Sequence, residues 1–166
     1  MADDNVSQVQ RLVEEYGTML YQVALVNLCH RFDAEDAVQE TYLRYCRKRP
    51  SFDSAEHERA WLIRVCINIC RDMQRARLRH PHVSVENLQV IYEETESLEE
   101  DGEVLRRLLS LPAKYKTVLL LHYVRELSVK EIAAMLSLSE AAVHKRLWRA
   151  REKLKLEWQE ERGKNV

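Results

Sequence analysis

The chain has 166 residues, with 26 Lys and Arg against 27 Asp and Glu, and only three Gly and three Pro. That is the length of one ordinary domain or two very small ones, and so few turn-forming residues beside abundant Leu, Ala, Glu, Arg and Lys predict an all-α fold. No apolar run reaches the roughly eighteen residues a membrane span needs, and the acidic start MADDNVSQVQ lacks the basic-then-apolar order of a secretion signal, so the expected location is cytoplasmic.

The near-neutral total hides a segmented charge pattern. Residues 1–40 hold 2 cations against 8 anions, 41–80 hold 10 against 4, 81–103 hold 0 against 8, and 104–166 hold 14 against 7. Two basic blocks flanking an acidic strip predict two surfaces that face a polyanion. Solvated faces of charged helices give the same counts, so spacing has to decide between the two readings.

A first helix is predicted over 33–49. Asp33 is the expected N-cap, with Asp36 three residues on, and Pro50 bars continuation. Ala34, Val38, Tyr42 and Tyr45 line one side, and Asp36, Gln39, Glu40, Arg44 and Arg47 the other. A mixed polar face is what any soluble helix exposes, so these residues alone leave its role open. The loop PSFDSAEHE follows, in which Phe52 has no periodic partner; such an aromatic is either a core plug or a surface on which a base stacks.

From Trp61 the apolar residues Trp61, Leu62, Val65, Cys66, Ile69 and Met73 recur at helical spacing. Arg64, Asn68, Arg71, Arg75 and Arg79 share the opposite face, where like charges repel by about a few tenths of a kcal/mol per pair, so an anion is expected against them. Cys66 and Cys70 with His80 and His82 form a donor set zinc accepts, but both cysteines fall on the apolar stripe; core packing, with no metal and no cofactor, is the expectation.

Residues 81–103, most of the stretch HPHVSVENLQVIYEETESLEEDG (80–102), read as an acidic linker between two helical domains, although Val83, Val85, Leu88, Val90, Ile91 and Tyr92 are apolar enough to dock on something. Beyond it, Pro112 suits a first helical turn and AKYKTVLLLHYVRE predicts a largely buried helix. Ser128 and Glu131 then form an S-x-x-E capping box on a helix that turns Ile132, Met135 and Leu136 inward, with Ala133 small enough for a close crossing. Ser137 and Leu138 make the turn. Ser139 caps a second helix whose inward stripe is Val143, Leu147, Ala150 and Leu154 and whose outward residues are Glu140, His144, Lys145, Trp148 and Arg149. That is helix-turn-helix spacing, in which the second helix enters the DNA major groove.

DAEDAVQETYLR (33–44), AWLIRVCINICRDMQRAR (60–77), LPAKYKTVLLLHYVRELSVKEIAAML (111–136) and SEAAVHKRLWRAREKL (139–154) occur in that order. In this ordered set the chain resembles the extracytoplasmic-function sigma factors, the two-domain branch of the bacterial sigma-70 family. The resemblance implies region 2 at 1–80, a linker at 81–103 that threads the polymerase's nucleic-acid channel, and region 4 at 104–166. It implies core RNA polymerase as a partner, docked through Asp36, Gln39, Glu40 and Arg44. It implies minus-ten promoter DNA on Phe52, Arg64, Asn68, Arg71, Arg75 and Arg79, with a base extruded into a pocket formed by the loop 49–57. Minus-thirty-five DNA falls on Ser139, His144, Lys145, Trp148 and Arg149, and a cognate anti-sigma factor is a further implied partner.

Three positions depart from the family pattern. Ser137 stands where Gly is common, Ala142 where Thr is common, and Glu58 where an aromatic is frequent at the edge of the base pocket, which would place a carboxylate near nucleic acid. Two other readings stand beside the sigma factor. One is a sigma-mimicking adaptor that binds an anti-sigma partner without reading DNA, against which the basic faces count. The other is an enzyme with a Cys or His nucleophile, for which no activating partner or Gly-rich oxyanion turn is visible.

Overall fold

The computed structural model describes residues 2–79 and 110–164, and the side chains within 3–78 and 110–155. The predicted acidic linker, 81–103, lies outside the described residues, as do His80 and His82. The chain divides into two compact units, Met1–Ile91 and Tyr92–Val166. Every regular element among the described residues is helical.

The first unit packs α1 (Ala2–Leu28), α2 (Arg31–Lys48) and α3 (Ala55–Arg79) against one another, each touching both others. No sequence signal was singled out for α1, yet it carries the centre of the core: Leu12, Leu20, Val23, Ala24, Leu25 and Val26 are fully buried. Only residues 22–26 are buried without a break; ahead of them Leu12, Tyr16, Met19, Leu20 and Val23 keep the three-and-four spacing of a surface helix, so the signal was available in the sequence.

At the start of α2 the structure corrects the sequence. The N-cap is His30, not Asp33: its Nδ1 accepts the Asp33 N–H at 3.2 Å, and the helix begins at Arg31. Burial, followed by the charge of Arg77, lowers the His30 pKa, which favours the neutral ring that an acceptor must be. The Asp33 carboxylate pairs with Arg77 of α3 instead, and Arg77 also donates to the Leu28 carbonyl at 3.1 Å. The far end stops where expected. Arg49 turns left-handed (φ 45°) with its N–H on the Tyr45 carbonyl, and Pro50 follows.

α3 starts at Ala55, where the Ser54 hydroxyl accepts the His57 N–H at 3.2 Å. Leu62, Cys66 and Ile69 of the predicted stripe are buried, but so are Ile63, Ile67 and Cys70, while Trp61, Val65 and Met73 are half-buried. Contact with two helices at once widens the apolar face beyond one stripe. The Cys66 thiol donates to the Leu20 carbonyl at 3.8 Å, and a hydrogen bond between the Cys66 and Cys70 thiols, followed by burial, raises the Cys70 thiol pKa above its usual value. Among the described residues no group of three His, Cys, Asp or Glu is placed to hold a metal ion.

The second unit contains α4 (Ala113–Leu119), a π-helical segment (Leu120–Val124), α5 (Val129–Leu136) and α6 (Glu140–Lys164). Pro112 is the N-cap of α4, one position before the predicted first turn. Residues Tyr115 to Leu121 are buried without a break, as predicted, but the helix widens after Leu119, with the Arg125 N–H reaching the Leu120 carbonyl at 3.0 Å. Glu126 then turns left-handed (φ 55°) and the Leu127 N–H closes on the Leu121 carbonyl at 2.9 Å. α5 has both halves of the predicted capping box: Glu131 N–H to Ser128 Oγ at 3.1 Å and Ser128 N–H to the Glu131 carboxylate at 2.8 Å. Ile132, Ala133, Met135 and Leu136 face inward against Val143, Leu147 and Ala150, while Leu154 is half-buried.

Candidate polymerase and nucleic-acid interfaces

Asp36 and Gln39 are exposed on α2, and Glu40 and Arg44 beside them are half-buried. Glu40 accepts from Arg44 Nε at 3.3 Å and lies 3.6 Å from Arg47, so this part of the face is an internal ion network in the absence of a partner. Two apolar side chains missed by the sequence reading continue the same stripe: Phe32 is 63% exposed and Leu43 49%. They stand four residues before and seven after Asp36, and that spacing was the available signal. Large apolar groups bracketing acid and amide groups are the make-up of a protein-binding patch.

The loop aromatic has partners. Phe52 is half-buried, and its ring lies 6.2 Å from Tyr45 and 6.0 Å from Trp61, which in turn sit 5.8 Å apart. It is therefore anchored by the core and open on one side. Arg64, Asn68, Arg71 and Arg75 lie exposed along α3 and share one face; the Arg79 side chain is outside the described residues. Asp72 stands 3.8 Å from Arg75 and dilutes the row at one point.

Glu58 is elsewhere than the sequence implied. It is 8% exposed and directed inward, where Arg11, Tyr16 and Tyr45 hold it. The Arg11 hydrogen bond, partly opposed by burial, keeps its carboxyl below the usual carboxylate range.

In the second unit His144, Lys145, Trp148 and Arg149 are all exposed on α6, Trp148 by 61%. Ser139 is also exposed, but its Oγ accepts the Ala142 N–H at 3.1 Å, so its first job is to cap the helix. Lys114 lies 5.0 Å and Lys153 5.7 Å from the Tyr115 ring. Burial pushes the Tyr115 phenol up, but Lys114 and Arg149 outweigh it and hold its pKa below the ordinary value. Cations thus converge at the junction of α4 and α6, next to the outward face.

The sigma-70 region 2 model matches residues 12–80 and the sigma-70 region 4 model matches 101–154. The chain is 33% identical over 160 residues to the extracytoplasmic-function sigma factor SigL of Mycobacterium tuberculosis (strain Erdman), covering 92% of this chain and 89% of that one.

The chain belongs to the extracytoplasmic-function sigma factors of the sigma-70 family.

SigW of Bacillus subtilis (strain 168) is 29% identical over 159 residues, 87% of this chain and 85% of its own. A solved structure of CnrH in complex with the cytosolic domain of CnrY superposes with a TM-score of 0.64 at 27% identity, over 90% of this chain and 86% of that one. Membership makes the chain a promoter-recognition subunit of RNA polymerase that acts in transcription initiation.

Proposed function

We propose that the two units divide this work as region 2 and region 4, with 81–103 as the connecting linker and with no catalytic residue in the chain itself. Asp36, Gln39, Glu40 and Arg44, flanked by Phe32 and Leu43, dock on core polymerase. Phe52, backed by Tyr45 and Trp61, stacks a base extruded from the minus-ten element, and Arg64, Asn68, Arg71, Arg75 and Arg79 hold the separated strand. His144, Lys145, Trp148 and Arg149 read the minus-thirty-five duplex from the major groove, with Ser139 at the helix N-terminus near the backbone.

The observation that carries this reading is the half-open Phe52 on its aromatic support, on the same unit as the exposed cation row of α3. Unstacking a base costs about a few kcal/mol, and a preformed aromatic surface with cations nearby offsets that cost on the opened strand. A sigma-mimicking adaptor would need neither feature. The CnrH structure is of a complex with the cytosolic domain of CnrY, which supports an anti-sigma factor as a second partner here and a place in the cytoplasm. Run-off transcription with core polymerase and genomic fragments tests the proposal: transcripts should start at discrete positions only when the chain is added, and their absence would refute it.

A further inference from the structure

Both oxygens of Glu58 are fully committed. Oε1 accepts from Arg11 Nη2 at 2.7 Å and from the Tyr45 hydroxyl at 2.9 Å, and Oε2 accepts from Arg11 Nη1 at 3.0 Å and from the Tyr16 hydroxyl at 3.0 Å. A carboxylate has about four acceptor sites, and α1 and α2 fill them all from three side chains. The Tyr45 hydroxyl also accepts from Gln8 Nε2 of α1 at 3.1 Å. The ring of the same Tyr45 lies against both Phe52 and Trp61.

We propose that Glu58 is a positioning residue for the stacking surface: through the Tyr45 hydroxyl it fixes the inner ring of the Tyr45–Phe52–Trp61 wall, and through Arg11 it ties that wall to α1. This rests on the assignment of Phe52 to base stacking. The chemistry favours placement over stability. The Arg11 side chain is 40% exposed, and an ion pair open to water on one side contributes little net stability, but its hydrogen bonds fix geometry. A wall already in place when a base arrives avoids the entropy of ordering a side chain, an effect of about two- to tenfold on binding.

The test is the rate of open-complex formation by the holoenzyme on a duplex promoter and on the same promoter with a premelted minus-ten bubble. Tyr45→Phe removes the tethered hydroxyl and keeps the ring; Arg11→Met removes the guanidinium and keeps the stem. Each should slow opening on duplex by about two- to tenfold and by less than about twofold on the premelted template, at temperatures where melting curves show the protein folded. In a Phe52→Ala background neither should slow opening further, because contacting residues acting through one surface are non-additive.

Equal slowing on both templates, or full additivity with Phe52→Ala, would show that Glu58 only holds the fold and would overturn the proposal while leaving the stacking assignment intact. A Phe52→Ala protein that opens duplex promoter normally would instead remove the stacking assignment, and the proposal with it. Glu58→Gln, which keeps an acceptor for one tyrosine, should fall between wild type and Arg11→Met.

Discussion

Arg151 donates from Nη1 to the Tyr123 hydroxyl at 2.7 Å, and its guanidinium lies 5.9 Å from the centre of that ring. Arg149, two residues earlier on α6, is exposed on the outward face beside Trp148. Two arginines that look equivalent in the string WRAR therefore have different work. Arg151 is not among the outward residues predicted for α6, and its partner is a phenol of the π-helical segment.

The first prediction follows from that difference. With holoenzyme on promoters carrying a matched or a scrambled minus-thirty-five element, Arg149→Ala should reduce the preference by about 1 to 3 kcal/mol, the worth of a bidentate guanine contact. Arg151→Ala should keep the preference and lower stability by about 0.5 to 1.5 kcal/mol through loss of the phenol hydrogen bond. A preference that survives Arg149→Ala would mean that another part of α6 reads the base edges.

Local signals carried much of the second unit. A capping box, a two-residue turn and stripes at intervals of three and four are all encoded within a few residues, and Ser128, Glu131, Ile132, Val143 and Leu147 stand where that code put them. What stayed hidden depended on partners distant in the chain. Glu58 meets Arg11 47 positions away and Tyr16 42 positions away, so nothing adjacent marked it as internal. Asp33 lost the capping role because Arg77, far along α3, engages its carboxylate. The cation row of α3 was legible, but the support of Phe52 was not, since Tyr45 and Trp61 reach it from two different helices.

The polymerase face gives a second prediction. Asp36→Ala with Gln39→Ala should abolish co-purification with core polymerase while the helical circular-dichroism spectrum stays unchanged, since residues at an interface centre contribute about 2 kcal/mol or more each. Leu43→Ala alone should weaken it as well, because truncating an exposed leucine costs the fold little. Undiminished recovery of the double variant would place the polymerase on another surface.

A third prediction uses the turn of the helix-turn-helix. Ser137 is the C-cap of α5 in the left-handed region (φ 55°, ψ 44°), its N–H on the Ala133 carbonyl, and the Leu138 N–H closes on the same carbonyl at 2.9 Å. A side chain there costs about 1 kcal/mol that glycine does not incur. Ser137→Gly should raise the chemical-denaturation midpoint with little change in promoter use. A lower midpoint would show that Ser137 makes a stabilising contact that outweighs the strain.

The Glu58 cluster fixes the sign of a fourth, at both ends of the pH scale. Glu58 has a folded-state pKa below its ordinary value, chiefly through Arg11, so its contribution is present above about pH 4.5 and is lost as pH falls through the depressed value. Tyr16 is raised to about 12 by burial first and then by Glu58, so its contribution is whole below about pH 10 and fades as pH rises toward 12. Glu58→Gln should flatten the acid limb of a plot of Tm against pH. An acid limb identical to wild type would show that other carboxylates set it.

We propose that this chain opens promoter DNA by stacking a base on Phe52. Permanganate reactivity of thymines across the minus-ten element measures that opening directly, with core polymerase alone, with the wild-type chain added, and with Phe52→Ala added. Core alone should give no reactivity, wild type strong reactivity, and Phe52→Ala a loss of roughly fivefold or more, matching about 1 to 3 kcal/mol of stacking, with polymerase binding unchanged. Reactivity as strong with Phe52→Ala as with wild type would contradict it.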